Sequence, residues 1–487
     1  MAANLLIGID IGTTSVKAIL FDHSGSVVEA FAKPYPTHHL ADGHVEQDPQ
    51  TWLDLVDEAL RQLRFGHDLS HLSAIGMTSQ VNTHVFVGAD GKALTPAIVW
   101  QDGRCAAEAA ELTERLPEEQ RIGWWGEPRP IDASHVLARM LWMSRHKPDI
   151  WAKTRWVMLP KDFGIFRMTG ALSTDPISNL GLVDTELQYI PELLDHLPGA
   201  KERVLRLENM TAVAGKVEIG RKNVPVAVGT MDAWAGMFGT GVPASGNAFY
   251  LSGTSEVLGI VSAERIATPG VLTFPAYEDI TLHAGPTQSG GASFLWCADL
   301  LGKQPAELVR LVEALDFQDP SPLFLPHLQG ERAPIWDIKS RGSFFGMDAS
   351  TGPAQLTRAV FEGVACSAAW LLECLEQSSG TNCTEIHCGG GGFQSDIWNQ
   401  IRADILGKQL RRATVKDPGA LGAAGLASIA AGLQPNIKTA FSNLVQFDKT
   451  YRPDGEKRAF YAARLELYKK AYEDARSINH ALVSPEQ

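Results

Sequence analysis

Asp10 stands at the end of an almost wholly apolar run, residues 5–9, and just before the turn Gly12-Thr13-Thr14-Ser15. The backbone N–H groups and hydroxyls of such a turn can hold phosphate oxygens, and its glycine lets a phosphate come close. A carboxylate beside it can hold Mg²⁺, directly or through water, because magnesium takes few protein ligands and prefers substrate phosphates. An ordinary hairpin uses the same residue types. Near mid-chain, however, FYLSGTSEVLGIV repeats the strand, Gly-Thr turn and strand of IGIDIGTTSVKAIL, with Gly253, Thr254 and Ser255 at the turn. Two such turns suit a nucleotide clamped between two domains. Lys17 either neutralises phosphate charge or lies on a solvated strand face.

Asp232 follows an apolar strand, residues 224–228, and the turn Gly229-Thr230-Met231. It either caps a helix or takes the proton of a hydroxyl that attacks a γ-phosphate. Gly389 to Gly392, followed by Phe393-Gln394-Ser395, links a strand to a helix. Four consecutive glycines carry an entropic penalty, so they imply either tight packing or a flat ligand lying against backbone. Trp100, with Gln101, Asp102 and Arg104, offers an aromatic face and polar groups to a sugar, or belongs to a core. Gln80, Asn82 and Thr83 form a second polar cluster. The histidines lack metal spacing, the segment from Gly432 to Thr439 lacks the glycine of a Walker loop, and Gly239-Thr240-Gly241 lacks a dinucleotide-binding context.

These residues need alternating strands and helices to position them. The sequence predicts strands at 5–9, 16–21, 27–31, 74–77, 84–87, 97–100, 247–250 and 257–261. A helix begins at Asp48-Pro49, and others cover 293–301, 304–315, 353–378, 395–406, 419–431 and 457–478. This is an α/β pattern in two halves, 1–243 and 244–487. A chain of 487 residues with 45% hydrophobic content is large enough for two cores. A net charge of −13 disfavours nucleic acid or anionic lipid as a partner. Six cysteines without CxxC or zinc spacing fit a reducing cytoplasm. The opening residues predict no secretion signal, and no run is long enough for a membrane span.

Together these residues resemble the FGGY family of carbohydrate kinases, within the actin-like and hexokinase-like ATPases, from about Leu6 to about Tyr451. Its xylulokinase branch is the nearest in pattern. The most specific match is Gly342-Ser343-Phe344-Phe345-Gly346-Met347, then Gln355-Leu356, Ala359-Val360-Phe361 and Glu362. An N-terminal counterpart runs from Ser134 to His146, with Arg139 where lysine is usual and Val136 where Pro, Ser or Thr is. WQDGRC at 100–105, LPKDF at 159–163 and PHLQGERAP at 326–334 support it.

The resemblance implies two ribonuclease-H-like domains with the active site in the cleft between them, ATP and Mg²⁺, a small sugar or polyol as substrate, and a homodimer as the family habit. Asp10 would serve metal and phosphate; Gly12, Thr13, Thr14, Ser15, Lys17, Gly253, Thr254 and Ser255 the phosphates; Gly291, Gly391 and Ser395 the nucleotide. Asp232 would be the catalytic base, with Val81, Asn82, Trp100 and Asp232 around the sugar. The implied reaction is phosphorylation of a xylulose-like ketopentose to its 5-phosphate, with ribulose, an erythritol-like polyol or another ketose as alternatives. An actin-like ATPase switch without sugar is the reading from another class. Val81-Asn82 replaces a Met-His pair of xylulokinases and Ala233 replaces their Asn, which changes the hydroxyls that can be paired.

Overall fold

The computed structural model describes residues 4–483. They form two compact units: residues up to 241 with 274–278 and 418–445, and 242–273 with 279–417 and the described residues from 446 onward. The first break, at 241/242, lies beside the expected residue 243, and segments 274–278 and 418–445 return to the first unit.

The first unit is built on a six-stranded sheet in the order Val213–Ile219, Lys222–Ala227, Leu72–Ser79, Leu5–Ile11, Ser15–Phe21, Val27–Pro34. Leu5–Ile11 is antiparallel to Ser15–Phe21 and parallel to Leu72–Ser79. Its side chains from Leu6 to Ile9 are buried, as the uninterrupted apolar run predicts for a central strand. Helix Pro49–Gly66 covers one face; Asp48 caps it by accepting from the Gln50 N–H at 2.9 Å.

The second unit repeats this plan in a seven-stranded sheet: Leu272–Thr273, Thr281–Thr287, Glu256–Ser262, Ala248–Ser252, Glu385–Gly389, Gln409–Ala413, Phe447–Tyr451. Ala248–Ser252 is antiparallel to Glu256–Ser262 and parallel to Glu385–Gly389. In both units the hairpin that carries the Gly-Thr turn is thus flanked, on its first strand, by a parallel strand from far along the chain. The 27-residue helix Pro353–Ser379 fills the core against this sheet. Its Glu362 is a buried ion-pair hub for Arg358 at 3.2 Å and Arg464 at 2.8 Å, so the most specific sequence pattern is here an element of packing.

Helix Pro418–Ala430 belongs to the first unit although it lies late in the chain. A Cβ on Gly8 or Gly76 would lie 1.8 and 1.9 Å from the carbonyls of Ala420 and Ala423, and one on Gly422 would lie 1.8 Å from that of Ala235. The small residues at both ends of this contact allow helix and sheet backbones to touch. Between the strands of the first unit, helices Ala106–Arg115 and Val136–His146 build a second apolar cluster, while Phe163 and Ile165 of Pro160–Thr169 pack with the sheet. No helix among the described residues is long and apolar enough to cross a membrane.

Candidate active site

The first Gly-Thr turn is closed by Gly12 N–H donating to Ser15 O at 3.1 Å. Its carbonyls face protein donors: Tyr35 Oη donates to Gly12 O, Gln47 Nε2 to Thr13 O at 2.8 Å, and Tyr35 N–H to Thr14 O at 3.2 Å. Among the described residues neither the Thr13 nor the Thr14 amide has a protein acceptor, so the turn presents donors, as an anion site must. Asp10 pairs with Lys17 across the hairpin and with Thr78 in the parallel strand. Side chains directly opposite share a face, which puts the Lys17 ammonium stem beside the Asp10 carboxylate rather than on the opposite side of the sheet.

Asp232 opens helix Asp232–Gly239, and the capping position falls to Met231. The carboxylate is half-buried, with Oδ1 accepting from the Ala233 N–H at 2.8 Å. Burial, reinforced by the negative charge of Asp10, pushes it up to about 7. That is where a general base working near neutrality is most effective. The turn before it is held hard. Gly229 has a φ of +67°, and a Cβ there would lie 2.2 Å from Met77 O, so only glycine fits. Thr230 donates to Asp175 Oδ2 at 2.9 Å while its carbonyl accepts from Thr78 Oγ1 at 2.7 Å. Asp175 is ion-paired at 2.9 Å with Lys161, which also meets Asp162 at 2.7 Å. This fully buried Lys161–Asp162–Asp175 group escaped the residue-level reading of the sequence. Its only trace was an adjacent Lys-Asp pair in the apolar LPKDF stretch.

Trp100 donates its indole N–H to Thr13 Oγ1 at 3.1 Å and its backbone N–H to Thr83 Oγ1 at 3.2 Å. The strand expected to run through Trp100 ends at Ile98, because these bonds turn the chain away from the ladder. Gln80 reaches the same turn through Gln47, Nε2 to Oε1 at 2.7 Å. Asn82 has a φ of +52° and donates from Nδ2 to Ser134 Oγ at 3.2 Å. Val81 lies partly buried between Gln80 and Asn82. Asp10, the first turn, Asp232, Asn82 and Trp100 thus lie in one unit, with Trp100 hydrogen-bonded to the turn and the Asp10 charge felt at Asp232.

The second turn is one residue tighter: Gly253 N–H donates to Ser255 O at 2.9 Å, with Ser252 opposite Glu256. Helix Gly291–Leu301 docks on it through Gly291 N–H to Gly253 O at 2.9 Å and Ala292 N–H to Thr254 O at 3.1 Å. A Cβ on Gly291 would stand 2.5 Å from Gly253 O, so this glycine is required by packing. Three of the four glycines divide by role. Cβ atoms on Gly390 and Gly392 would collide with Ser252 at 2.4 and 2.0 Å, whereas one on Gly391 would meet nothing within 4 Å. Gly391 instead borders a cleft of about 330 Å³ that is also lined by Gly253, Thr254, Gly291, Phe294, Ser395 and Trp398. Ser395 caps helix Asp396–Leu406 by accepting from the Trp398 N–H at 3.4 Å. A flat ring with phosphates toward the Gly-Thr turn matches this apolar, glycine-walled space.

The described residues contain no cluster of three or more side chains able to hold a metal. A single carboxylate, Asp10, beside a phosphate-binding turn suits a divalent ion that takes most ligands from water and phosphate.

Residues 5–239 match the N-terminal domain of the FGGY family of carbohydrate kinases and residues 248–431 its C-terminal domain. The chain is 32% identical to the xylulose kinase of Escherichia coli (strain K12), over 96% of this chain and 99% of the relative. Among solved structures, the ligand-bound xylulose kinase of Lactobacillus acidophilus superposes with a TM-score of 0.87 at 27% identity, covering 97% of this chain and 98% of that one. The gluconate kinase of the same organism gives 0.87 at 26% identity, again over 97% and 98%. With both domain models matched in order and a relative aligned along nearly its full length, the chain belongs to the FGGY family of carbohydrate kinases, ATP-dependent enzymes that phosphorylate sugar hydroxyls with the help of a divalent metal.

Proposed function

We propose that this chain transfers the γ-phosphoryl group of Mg·ATP to the 5-hydroxyl of a ketopentose of the xylulose type, with Asp232 as the base. The observation that carries this reading is the Asp232 carboxyl, poised at about 7 beside Asp10 in the unit that also holds Trp100 and the first Gly-Thr turn. Asp232 takes the proton from the attacking hydroxyl, and the Ala233 N–H keeps its carboxylate oriented through Oδ1. Thr13, Thr14, Ser15 and Lys17 of the first unit hold phosphate oxygens, as do Gly253, Thr254 and Ser255 of the second. Gly291, Gly391 and Ser395 frame the nucleotide ring in the 330 Å³ cleft. Asp10 would hold Mg²⁺, which when bound would screen the charge of the phosphates. Val81, Asn82 and Trp100 read the sugar.

The kinship with xylulose kinases favours a ketopentose. The alternative, another ketose, a polyol or a sugar acid, is favoured by Val81-Asn82 and Ala233, and by the equal likeness to a gluconate kinase. A coupled ADP-release assay across D-xylulose, ribulose, erythritol and gluconate decides. Xylulose should give the highest kcat/KM. A higher value for another acceptor transfers the assignment to it, and ADP release that no sugar accelerates sinks the proposal.

A further inference from the structure

Arg139 is fully buried on helix Val136–His146, yet its hydrogen-bond partners are all neutral. Its guanidinium donates to the carbonyls of Asn82, Ile98 (2.7 Å) and Val99 (2.6 Å), and Nη1 lies 3.0 Å from His84 Nδ1. Nε points to Ala133 O at 3.4 Å. Burial and the adjacent Arg139 charge hold His84 well below its usual range, so the imidazole is neutral and its Nδ1 accepts. Burial lowers Arg139 only to about 10, so it stays charged.

A buried charge without a contacting carboxylate is unfavourable, and a leucine or methionine would fill the same space. What the guanidinium supplies is geometry, because Nη1 joins Asn82 O to Ile98 O while Nη2, the other prong of the planar fork, holds Val99 O at the same time. These carbonyls lie on the segments that end in Asn82 and Trp100. Asn82 sits in the left-handed region, which asparagine enters more readily than other side-chain-bearing residues, and contacts on both its carbonyl and its side chain fix it there. Its carbonyl is held by Arg139 and its amide by Ser134, whose own hydroxyl donates to Asp132 at 2.7 Å. On the other segment, Val99 O is held one residue before Trp100, whose N–H closes back on Thr83.

We propose that Arg139 is a positioning residue for sugar selectivity: it fixes the backbone from which Asn82 and Trp100 address the acceptor hydroxyls. This rests on the sugar-site reading above. A lysine at this position keeps charge and stem but is a single point donor: it can take over at best the Nη1 bonds to Asn82 O and Ile98 O, and it leaves Val99 O, next to Trp100, without its donor.

The test is steady-state kinetics of Arg139→Lys, with folding checked by thermal melting, on the two best acceptors of the wild type. The sugar KM should rise roughly tenfold or more, the ATP KM should stay within about twofold, and preference between the two acceptors should shrink several-fold. Arg139→Met should be worse, with lysine a partial rescue. Ser134→Ala, which loosens Asn82 without touching the buried charge, should raise the sugar KM in the same direction and be less than additive with Arg139→Lys. A folded Arg139→Lys enzyme with unchanged sugar KM and preference overturns the proposal, and where no Arg139 variant folds, an unchanged sugar KM in Ser134→Ala does so. A wild type that phosphorylates no sugar fails the parent reading instead.

Discussion

The indole N–H of Trp100 donates to the hydroxyl of Thr13 at 3.1 Å, making the aromatic proposed to face the sugar and the turn proposed to hold phosphate one hydrogen-bonded unit. A shift in either is felt by the other. Trp100→Phe keeps an aromatic face and removes this bond. A neutral hydrogen bond contributes about 0.5–1.5 kcal/mol net, so kcat/KM should fall roughly two- to tenfold. Thr13→Val should give a similar loss, and the double variant little more than either single one. Full additivity in that cycle would show that the two residues act separately.

The position of Asp232 at about 7 makes two pH predictions of opposite sign. As the proposed base it must be ionised, so kcat/KM for the sugar should fall about tenfold per pH unit below 7. Asp10→Asn removes the like charge and should move that limb toward lower pH. For stability the sign reverses. The folded state holds this proton more tightly than the unfolded chain, whose carboxyl titrates near 3.8. The contribution is therefore fully present below that value and lost as pH rises through 7. Asp232→Asn should cut turnover roughly 10²- to 10⁴-fold and, without ligands, stabilise the protein by about 1–3 kcal/mol at pH 8 but not at pH 4. Melting curves at the two pH values check it; equal effects at both would reject the assignment.

Much of the site was legible because its signals are local. A buried apolar run, a Gly-Thr turn and a terminal Asp10 follow one another within a few residues, and the second hairpin repeats them. What stayed hidden is long-range. Arg402 reaches Glu256 across 146 positions, and Lys161 meets Asp175 with no periodic pattern to announce the pair. Helix Pro418–Ala430 reads from chain position as part of the second half, and only the facing glycines at Gly8 and Gly76 show why it packs with the first unit. Trp100 looked like a strand end because its neighbours are apolar; the hydroxyl of Thr83 that diverts it lies on another segment.

The glycine run separates a ligand effect from a folding effect. A Cβ on Gly392 would lie 2.0 Å from Ser252 Oγ, so Gly392→Ala should lower the melting temperature, consistent with overpacking of roughly 1–3 kcal/mol. Gly391 has open space and an ordinary φ, so Gly391→Ala should melt like the wild type. A larger side chain there projects into the cleft. Gly391→Leu should therefore raise the ATP KM by roughly tenfold or more while leaving the sugar KM alone. Isothermal titration with ADP tests this directly, and unchanged affinity in Gly391→Leu would remove the 330 Å³ cleft from the nucleotide site.

Beneath that cleft, Arg402 pairs with Glu256 at 2.8 Å, donates to Gly392 O at 2.9 Å, and lies over the Trp398 ring at 4.1 Å. Glu256 also accepts from Ser252 at 2.8 Å, so one buried pair ties the residue after the second turn to the glycine run and to the ring lining the cleft. Removing one member strands the other charge without its partner, a loss of about 3–5 kcal/mol. Glu256→Gln and Arg402→Met should each shift the denaturation midpoint by that order, yet the double replacement by apolar residues should recover part of it. Because the pair holds backbone on two sides of the cleft, the double variant should regain stability without regaining ATP affinity. Recovery of both together would mean that the ion pair supports folding alone, and that the walls of the proposed nucleotide cleft keep their positions without it.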